Sequence, residues 1–165
     1  MAPQTPYSAD LGDREPLEAM RSAVDHIQAI AATWTPRQFE RSYAPGKWTA
    51  RQILIHLVQT EVALGNRARM ALAIPNYTAQ AFDQDHWMAA EGGAGSAGAD
   101  GPAALHALVA MNAFNRALFE SLSAPKRATP FSHPEYGALT VDWLIHQMAG
   151  HLHHHLAQIE QIAKQ

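Results

Sequence analysis

Apolar residues recur at steps of three and four along four stretches of the chain, which is the spacing of one face of an α-helix. The stretches lie at about 13–34, 49–74, 102–122 and 140–163. Their inward positions are, in order, Leu17, Met20, Val24, Ile27, Ala31 and Trp34; Ile53, Leu57, Thr60 and Leu64; Leu105, Leu108, Met111, Asn115, Leu118 and Leu122; and Val141, Ile145, Met148, Leu152, His155, Ile159 and Ile162. No stretch alternates convincingly in the manner of a β-strand. The pattern therefore predicts an all-α fold, a four-helix bundle.

Local signals mark where two of these helices begin. Thr49 and Gln52 form a T-x-x-Q capping box, and Trp48 and Ile53 are spaced as a hydrophobic staple. Thr140 is a good N-cap for the fourth helix. The second and fourth helices should therefore start just after Thr49 and Thr140.

Two segments lack helical periodicity within what is otherwise a single domain spanning 1–165. Residues 1–12 are expected to form a flexible arm. The long segment between Pro75 and Pro102 carries no helical stripe, and its glycine-rich part, 92–101, is expected to be a flexible loop.

Composition excludes several classes of function. The 47% of hydrophobic residues and 16% of charged residues are typical of a globular domain, and the net charge of -3 offers no positive surface for nucleic acid. No run approaches the roughly 20 apolar residues that cross a bilayer, and no secretory signal opens the chain. We therefore expect a cytoplasmic protein with no membrane partner. Because the chain has no cysteine, a site for a soft metal must use imidazole.

Three of the ten histidines fall where they can meet. His155 lies in the seam of the fourth helix, and His151 lies one turn earlier on the same side. His56 lies on the inward flank of the second helix, one turn before Thr60. Three imidazoles leave a coordination position open, as in a catalytic zinc-type site. The spacing does not choose the metal: we expect zinc or nickel, and iron or manganese would also accept imidazole.

Other interpretations compete for these residues. A core imidazole hydrogen-bonded to a neighbouring helix is the commoner fate of a buried histidine such as His155. His153 is expected to face solvent, whereas His154 is a candidate to flank the site. Gln158 is a candidate to orient a ligand from outside the metal's own shell.

Acidic residues are weaker candidates. Glu61 is a possible acid or base, or a residue beside the ligands, but it falls on the opposite flank from His56, so hydrogen bonding to helix ends or solvent is favoured. Asp83, Asp85 and His86 are candidates for a lid, although solvated surface is the commoner role of such a loop. No catalytic residue is assigned.

Two motifs resemble those of the DinB-like superfamily of bundle proteins, which includes bacillithiol and mycothiol transferases and many metal-dependent hydrolases. GKWTARQILIHLVQTE (46–61) is similar to the family's G-K-W-S/T, helix, H-L, acid pattern, and its histidine is His56. GALTVDWLIHQMAGHLHHHLAQI (137–159) resembles the family's closing H-x-x-H-H-x-x-Q-I helix and maps the other ligands onto His151 and His155. FDQDHW (82–87) is a looser match. The chain departs from the family pattern at two positions: it has Gln59 where many relatives have an acid, and His153 adds a further imidazole.

The resemblance implies a bundle of unusual connectivity, a divalent metal near one end of the core, and often a homodimer. It favours an enzyme that acts on a small molecule, either a transferase using a low-molecular-weight thiol or a hydrolase. A noncatalytic protein that binds metal or a small ligand is the alternative. A purely structural bundle that binds metal only at high concentration is a third hypothesis.

Overall fold

The computed structural model describes residues 2–91 and 98–165, and part of the expected flexible loop at 92–101 lies outside them. Eight helices and one hairpin occur in this part of the chain. They are, in order, α1 Ser8–Leu11, α2 Pro16–Ala31, α3 Pro36–Phe39, α4 Ala50–Ala73, α5 Gln84–Glu91, α6 Gly101–Glu120, α7 Ala124–Arg127, β1 Pro130–His133, β2 Gly137–Thr140 and α8 Val141–Ala163. The four long helices α2, α4, α6 and α8 coincide with the four apolar stripes, which confirms the predicted bundle.

The predicted helix starts are confirmed. The Thr49 hydroxyl accepts from the Gln52 amide at 3.2 Å, and the Gln52 side chain accepts from the Thr49 amide at 2.9 Å. The Thr140 hydroxyl accepts from the Trp143 amide at 3.2 Å. Because the caps satisfy amides that have no partner inside the helix, they set the residue at which each helix begins. His56 and His151 are thereby held at fixed positions along their helices.

The long helices do not follow one another around the bundle. α2 packs against α6 and α8, and α4 packs against the same two helices. Consecutive helices α2 and α4 are therefore diagonally opposite, and so are α6 and α8. The connection through 32–49 and the connection that contains the hairpin must each cross the bundle end, which is why both are long. One flank of α4 consequently faces α8 and the other faces α6.

Three elements differ from the sequence-based expectation. α1 forms inside the expected arm and buries Leu11 against α8, so regular structure begins before Asp13. α5 forms inside the segment expected to lack helical structure: the Asp83 carboxylate accepts from the Asp85 and His86 amides at 3.1 and 3.0 Å and caps it. Both helices are too short to show a periodic stripe, which is why the hydrophobic pattern missed them.

The hairpin is the third difference, since no strand was expected. β1 and β2 pair antiparallel, with Phe131 opposite Leu139 and His133 opposite Gly137. Each strand has only four residues, fewer than the alternation test needs. Ser132 also exchanges backbone hydrogen bonds with residues 77–79, which ties the segment after α4 to the hairpin. No helix in the described ranges is long and apolar enough to cross a membrane.

A buried polar network joins α4 to α6. The two Glu61 carboxylate oxygens accept from the side-chain amides of Asn112 and Asn115 at 2.8 and 2.7 Å. Arg116 and Arg69 donate in turn to the carbonyl oxygens of the two asparagines at 3.1 and 2.6 Å. These donors fix which way each amide points. The favoured interpretation of Glu61 is wrong: the residue is 2% exposed because its flank of α4 faces α6 instead of solvent.

Glu61→Gln should lower the free energy of unfolding by about 1–3 kcal/mol, the cost of an unsatisfied buried polar group. Glutamine has one acceptor oxygen, so its NH2 group would face the NH2 of Asn112 or Asn115, and the arginines prevent either amide from flipping. Urea unfolding at pH 7 measures the change. The control is Glu40→Gln, which removes an exposed ion pair with Arg51 and should cost at most about 0.5 kcal/mol. Equal effects of the two substitutions would contradict the network's role.

Candidate metal centre

Two helices bring three histidines together in the bundle core. His56 comes from α4, and His151 and His155 come from successive turns of α8, which packs against α4. All three residues are buried: the exposed fraction is 2% for His56, 4% for His151 and 6% for His155. The i, i+4 spacing places both α8 rings on one face, and the α4–α8 contact presents His56 to that face.

The Nε2 atoms of the three rings point at one another. His56 Nε2 lies 2.9 Å from His151 Nε2, and His155 Nε2 lies 3.0 Å from the same atom. One candidate ligand atom from each ring falls within 4.8 Å of the others. In a tetrahedral zinc site with Zn–N bonds of 2.0–2.1 Å, ligand nitrogens are roughly 3.3 Å apart. The arrangement is therefore close to the one that a bound ion requires.

Hydrogen bonding supports the same fit. His155 Nδ1 lies 2.8 Å from Gln158 Oε1 and donates to that carbonyl oxygen, so His155 Nε2 carries a lone pair. His151 Nε2, between the two other Nε2 atoms, has at most one proton to share with them. At least one of the two Nε2–Nε2 contacts would thus lack a hydrogen bond, and a divalent cation bound between lone pairs removes that conflict.

Burial keeps these imidazoles neutral, the state in which histidine binds metal. Desolvation lowers the pKa of His56 to about 4 and, with the nearby His56 and His154 rings adding to the effect, the pKa of His155 to about 3. It also holds the pKa of His151 well below its usual value, together with the other histidines around it. At neutral pH all three rings have a lone pair to offer.

The residues expected around the ligands have separate environments. Gln158 contacts His155 as described, and its amide nitrogen lies 3.2 Å from His154 Nε2. His154 Nδ1 lies 3.3 Å from Asp10 of α1. Gln158 and His154 thus adjoin the cluster, and their roles toward a metal remain predictions. Glu61 forms its hydrogen bonds with α6 instead.

His153 does not face solvent as expected. It is half-buried, its Nε2 is fully covered, and burial lowers its pKa. α8 is surrounded by α2, α4 and α1, so little of its circumference is left for solvent. His153 is not among the three residues whose ligand atoms converge.

Aromatic side chains that the sequence did not indicate enclose the cluster. Trp48 and Phe82 both pack near the His56 ring, with centroids 4.9 and 6.4 Å away, and Tyr7 packs edge-on against His151 at 4.9 Å. Asp83, Asp85 and His86, the candidate lid, are exposed, which agrees with the favoured interpretation as solvated surface. The looser FDQDHW match contributes Phe82 to the site and Asp83 to the cap of α5.

The segment before α1 is held over His151 by α8. The Trp143 indole donates to the Gln4 carbonyl at 2.8 Å. At Gly150 an added Cβ would collide with the Tyr7 carbonyl oxygen and lie 2.8 Å from Tyr7 Cβ. The absence of a side chain at Gly150 is therefore what lets Tyr7 reach the cluster.

Gly150→Ala should destabilise the protein by about 1–3 kcal/mol, as expected for overpacking, and should lift Tyr7 from His151. By helix propensity alone the same change would stabilise α8 by about 0.5–1 kcal/mol, so a net loss of stability identifies the clash with Tyr7. Thermal unfolding measures it. In a chain lacking residues 1–12 the substitution should become stabilising, and a destabilisation that persists there would contradict this explanation.

Two cavities reach the cluster. The hairpin-side cavity, about 180 Å³, is lined by His56 and His151 and extends to Arg67, His133 and Trp143. The loop-side cavity, about 300 Å³, is lined by His56 and His155 and extends to Tyr43, Trp48 and Gln158. A small molecule could therefore approach the histidines from either side.

Comparison with known proteins gives the family of the chain. Residues 17–159 match the model of the DinB superfamily. The chain belongs to the DinB superfamily. That match covers α4 and α6, most of α2 and α8, and the three converging histidines, so the family resemblance of the two motifs is confirmed.

Curated relatives in the superfamily carry names that refer to metal. "Putative metal-dependent hydrolase OB0782" of Oceanobacillus iheyensis is 27% identical over 127 residues, which are 77% of this chain and 72% of that protein. "Putative metal-dependent hydrolase YfiT" of Bacillus subtilis is 24% identical over 149 residues, 90% of this chain and 82% of that protein. Two findings therefore coincide in this chain. It has a three-histidine cluster that could hold a metal ion, and relatives in its family are named metal-dependent hydrolases.

A solved structure matches the fold. YfiT from Bacillus subtilis, described as a probable metal-dependent hydrolase with an unusual four-helix bundle topology, superposes with a TM-score of 0.79 at 21% identity and covers 90% of this chain and 84% of that one. The superposition extends over most of the chain and shows that the two proteins share a fold.

Proposed function

We propose that this protein is a metal-dependent hydrolase that acts on a small molecule at His56, His151 and His155. The observation that carries the proposal is the convergence of three buried Nε2 atoms, two of the separations being 2.9 and 3.0 Å, at a point that two cavities reach. The names of the curated relatives agree with this reaction class.

The three imidazoles would hold the ion, and Gln158 would orient His155 through its Nδ1 hydrogen bond. A divalent ion bound there would lower the pKa of water to about 7 or polarise a carbonyl group of the substrate. Trp48, Phe82 and Tyr7 limit access of bulk solvent to the histidines. The chain itself therefore supplies ligands, their orientation and a partly enclosed apolar surround.

We infer zinc or nickel as the ion, with iron or manganese also compatible. The ligand set is entirely nitrogen: the chain has no cysteine, and no carboxylate belongs to the cluster in the described residues. Imidazole suits zinc and nickel, whereas a carboxylate-rich set would suit magnesium or calcium. Elemental analysis of untagged protein after mild purification identifies the ion.

The proposed activity is tested with metal-loaded protein and a panel of small esters and amides. Turnover should rise in proportion to bound metal, disappear on chelation and return when metal is restored. His151→Ala should abolish it, and His153→Ala, a histidine of the same helix outside the cluster, should retain it. Turnover that persists in chelated protein would sink the proposal.

Transfer of a low-molecular-weight thiol is a second candidate, because an open coordination position accepts a thiolate as well as water and the chain has no thiol of its own. Dependence of turnover on an added thiol, with a thioether product, would favour transfer over hydrolysis. Stoichiometric metal without turnover in either assay would favour the noncatalytic alternative. Substoichiometric metal and unchanged melting on chelation would favour the structural one.

The family resemblance leads us to expect a homodimer, and the sequence leads us to expect a cytoplasmic location. Light scattering on the purified protein tests the first. Fractionation of cells that express the full chain tests the second.

A further inference from the structure

Arg67 is a buried cation that lacks a carboxylate partner. Only 8% of the residue is exposed, and it lines the hairpin-side cavity together with His56 and His151. Its guanidinium donates to the Gln80 carbonyl at 2.6 Å. Among the described residues no carboxylate lies within 4.0 Å of it, whereas Arg21, Arg51, Arg116 and Arg127 each have one. An unpaired buried charge is costly to keep, so a planar five-donor group facing a cavity indicates a ligand.

His133 adds a second donor to the same wall. Its Nδ1 accepts from the backbone amides of Glu135 and Tyr136 at 3.2 and 3.4 Å, so the ring proton lies on Nε2. Burial and the nearby positive charge of Arg67 lower the pKa of His133 and keep it neutral. No described group bonds to Nε2, which leaves this N–H for a molecule in the cavity.

Charge and size limit what can bind. Glu135 lines the cavity and its negative charge reaches Arg67, although the two form no ion pair. A monoanion is therefore balanced better than a dianion. The cavity of about 180 Å³ admits only a small group. A carboxylate, which the arginine fork binds with two parallel hydrogen bonds, satisfies both limits.

We propose that Arg67 and His133 bind a carboxylate group of the substrate while the three-histidine centre acts on another part of it. The role of the three-histidine centre in this inference rests on the proposed function, whereas the binding of a carboxylate by Arg67 and His133 does not. It narrows the substrate class to small carboxylic acids that carry a second, hydrolysable group.

Binding is tested first in metal-free protein, where no ion can attract the anion. Benzoate and its neutral isostere benzamide are titrated while the Arg67 and His133 side-chain resonances are followed by NMR. Benzoate should bind at least about ten-fold more tightly than benzamide, and Arg67→Gln should weaken benzoate about ten- to hundred-fold, the range for a hydrogen bond to a charged group. Arg67→Lys should restore part of the affinity. Arg51→Gln, an α4 arginine already paired with Glu40, is the matched control and should change nothing.

Equal binding of benzoate and benzamide, or unchanged benzoate binding in Arg67→Gln, would overturn the proposal. If Arg67→Gln does not fold, His133→Asn takes its place: it removes the Nε2 donor, its side-chain oxygen can still accept from the Glu135 amide in an Asx turn, and the Gln80 contact of Arg67 stays intact. Tighter binding of inorganic phosphate than of benzoate would overturn the choice of carboxylate.

The metal-loaded protein separates this inference from the proposed function. If esters are hydrolysed but Arg67→Gln leaves the ratio of kcat/KM for carboxylate-bearing and neutral esters unchanged, the function stands and the inference fails. If no ester is hydrolysed but benzoate binding follows the expected pattern, the carboxylate site stands and the hydrolase proposal fails.

Discussion

His56→Ala, His151→Ala and His155→Ala should each lower the affinity for a divalent ion by at least about 100-fold. Loss of an outer-shell partner already costs 10–100-fold in metal affinity, and loss of a direct ligand should cost more. Each variant leaves two imidazoles, and no other histidine, cysteine or carboxylate among the described residues joins the cluster to replace the third. Elemental analysis and binding isotherms with zinc or nickel measure the loss.

His153→Ala is the matched control for these variants. It removes a histidine from the same helix, and its half-buried ring means that it should lower stability modestly without lowering metal occupancy. A metal loss in His153→Ala equal to that of the other three would show that the converging nitrogens are not the ligands.

The metal-free protein should lose several kcal/mol of stability as the pH falls from about 6.5 to 4. His56 and His155 have folded pKa values of about 4 and about 3, below the roughly 6.5 of an unfolded chain. In this interval the unfolded chain binds protons that the folded protein excludes, so acidification favours unfolding. Above about pH 6.5 the free energy of unfolding is not reduced by these histidines. Below that pH each of them lowers the free energy of unfolding by about 1.4 kcal/mol per pH unit, until its folded pKa is reached.

Urea unfolding at several pH values, followed by circular dichroism, measures this slope. His56→Phe removes one titrating group and should make the slope shallower. Glu61 acts with the opposite sign, because burial raises its pKa and its protonation on acidification relieves the desolvation cost. An identical slope in wild type and His56→Phe would contradict the buried neutral state.

Metal affinity should stay nearly constant from about pH 8 to 5 and fall below that, because the lowered pKa values of His56 and His155, about 4 and about 3, keep these imidazoles free of protons in the folded protein. Isotherms from about pH 8 to 4, with the fold followed by circular dichroism, measure it. A fall in affinity that begins near pH 6.5, the reference pKa of histidine, in protein that is still folded would contradict the buried neutral state of the ligands.

The sequence by itself determined the features that depend on neighbouring turns of one helix. The caps at Thr49 and Thr140 and the seam that ends at Ile162 all lie where the pattern predicts, because caps and i, i+4 spacing act within a turn or two. The pairing of His151 with His155 follows from the same local geometry. His56 could be assigned to the cluster because the apolar stripe of the second helix is enough to show that this residue lies on the inward flank.

Only the tertiary structure decided which flanks meet. Because α2 and α4 are diagonal, the flank of α4 opposite His56 is covered by α6, and Glu61 is buried between asparagines that lie 51 and 54 residues later. The hairpin brings His133 to the wall that Arg67 shares with His56 and His151, a juxtaposition that no local spacing encodes. The sequence contains every one of these residues, but their meeting depends on how the helices pack, since packing joins positions far apart in the chain.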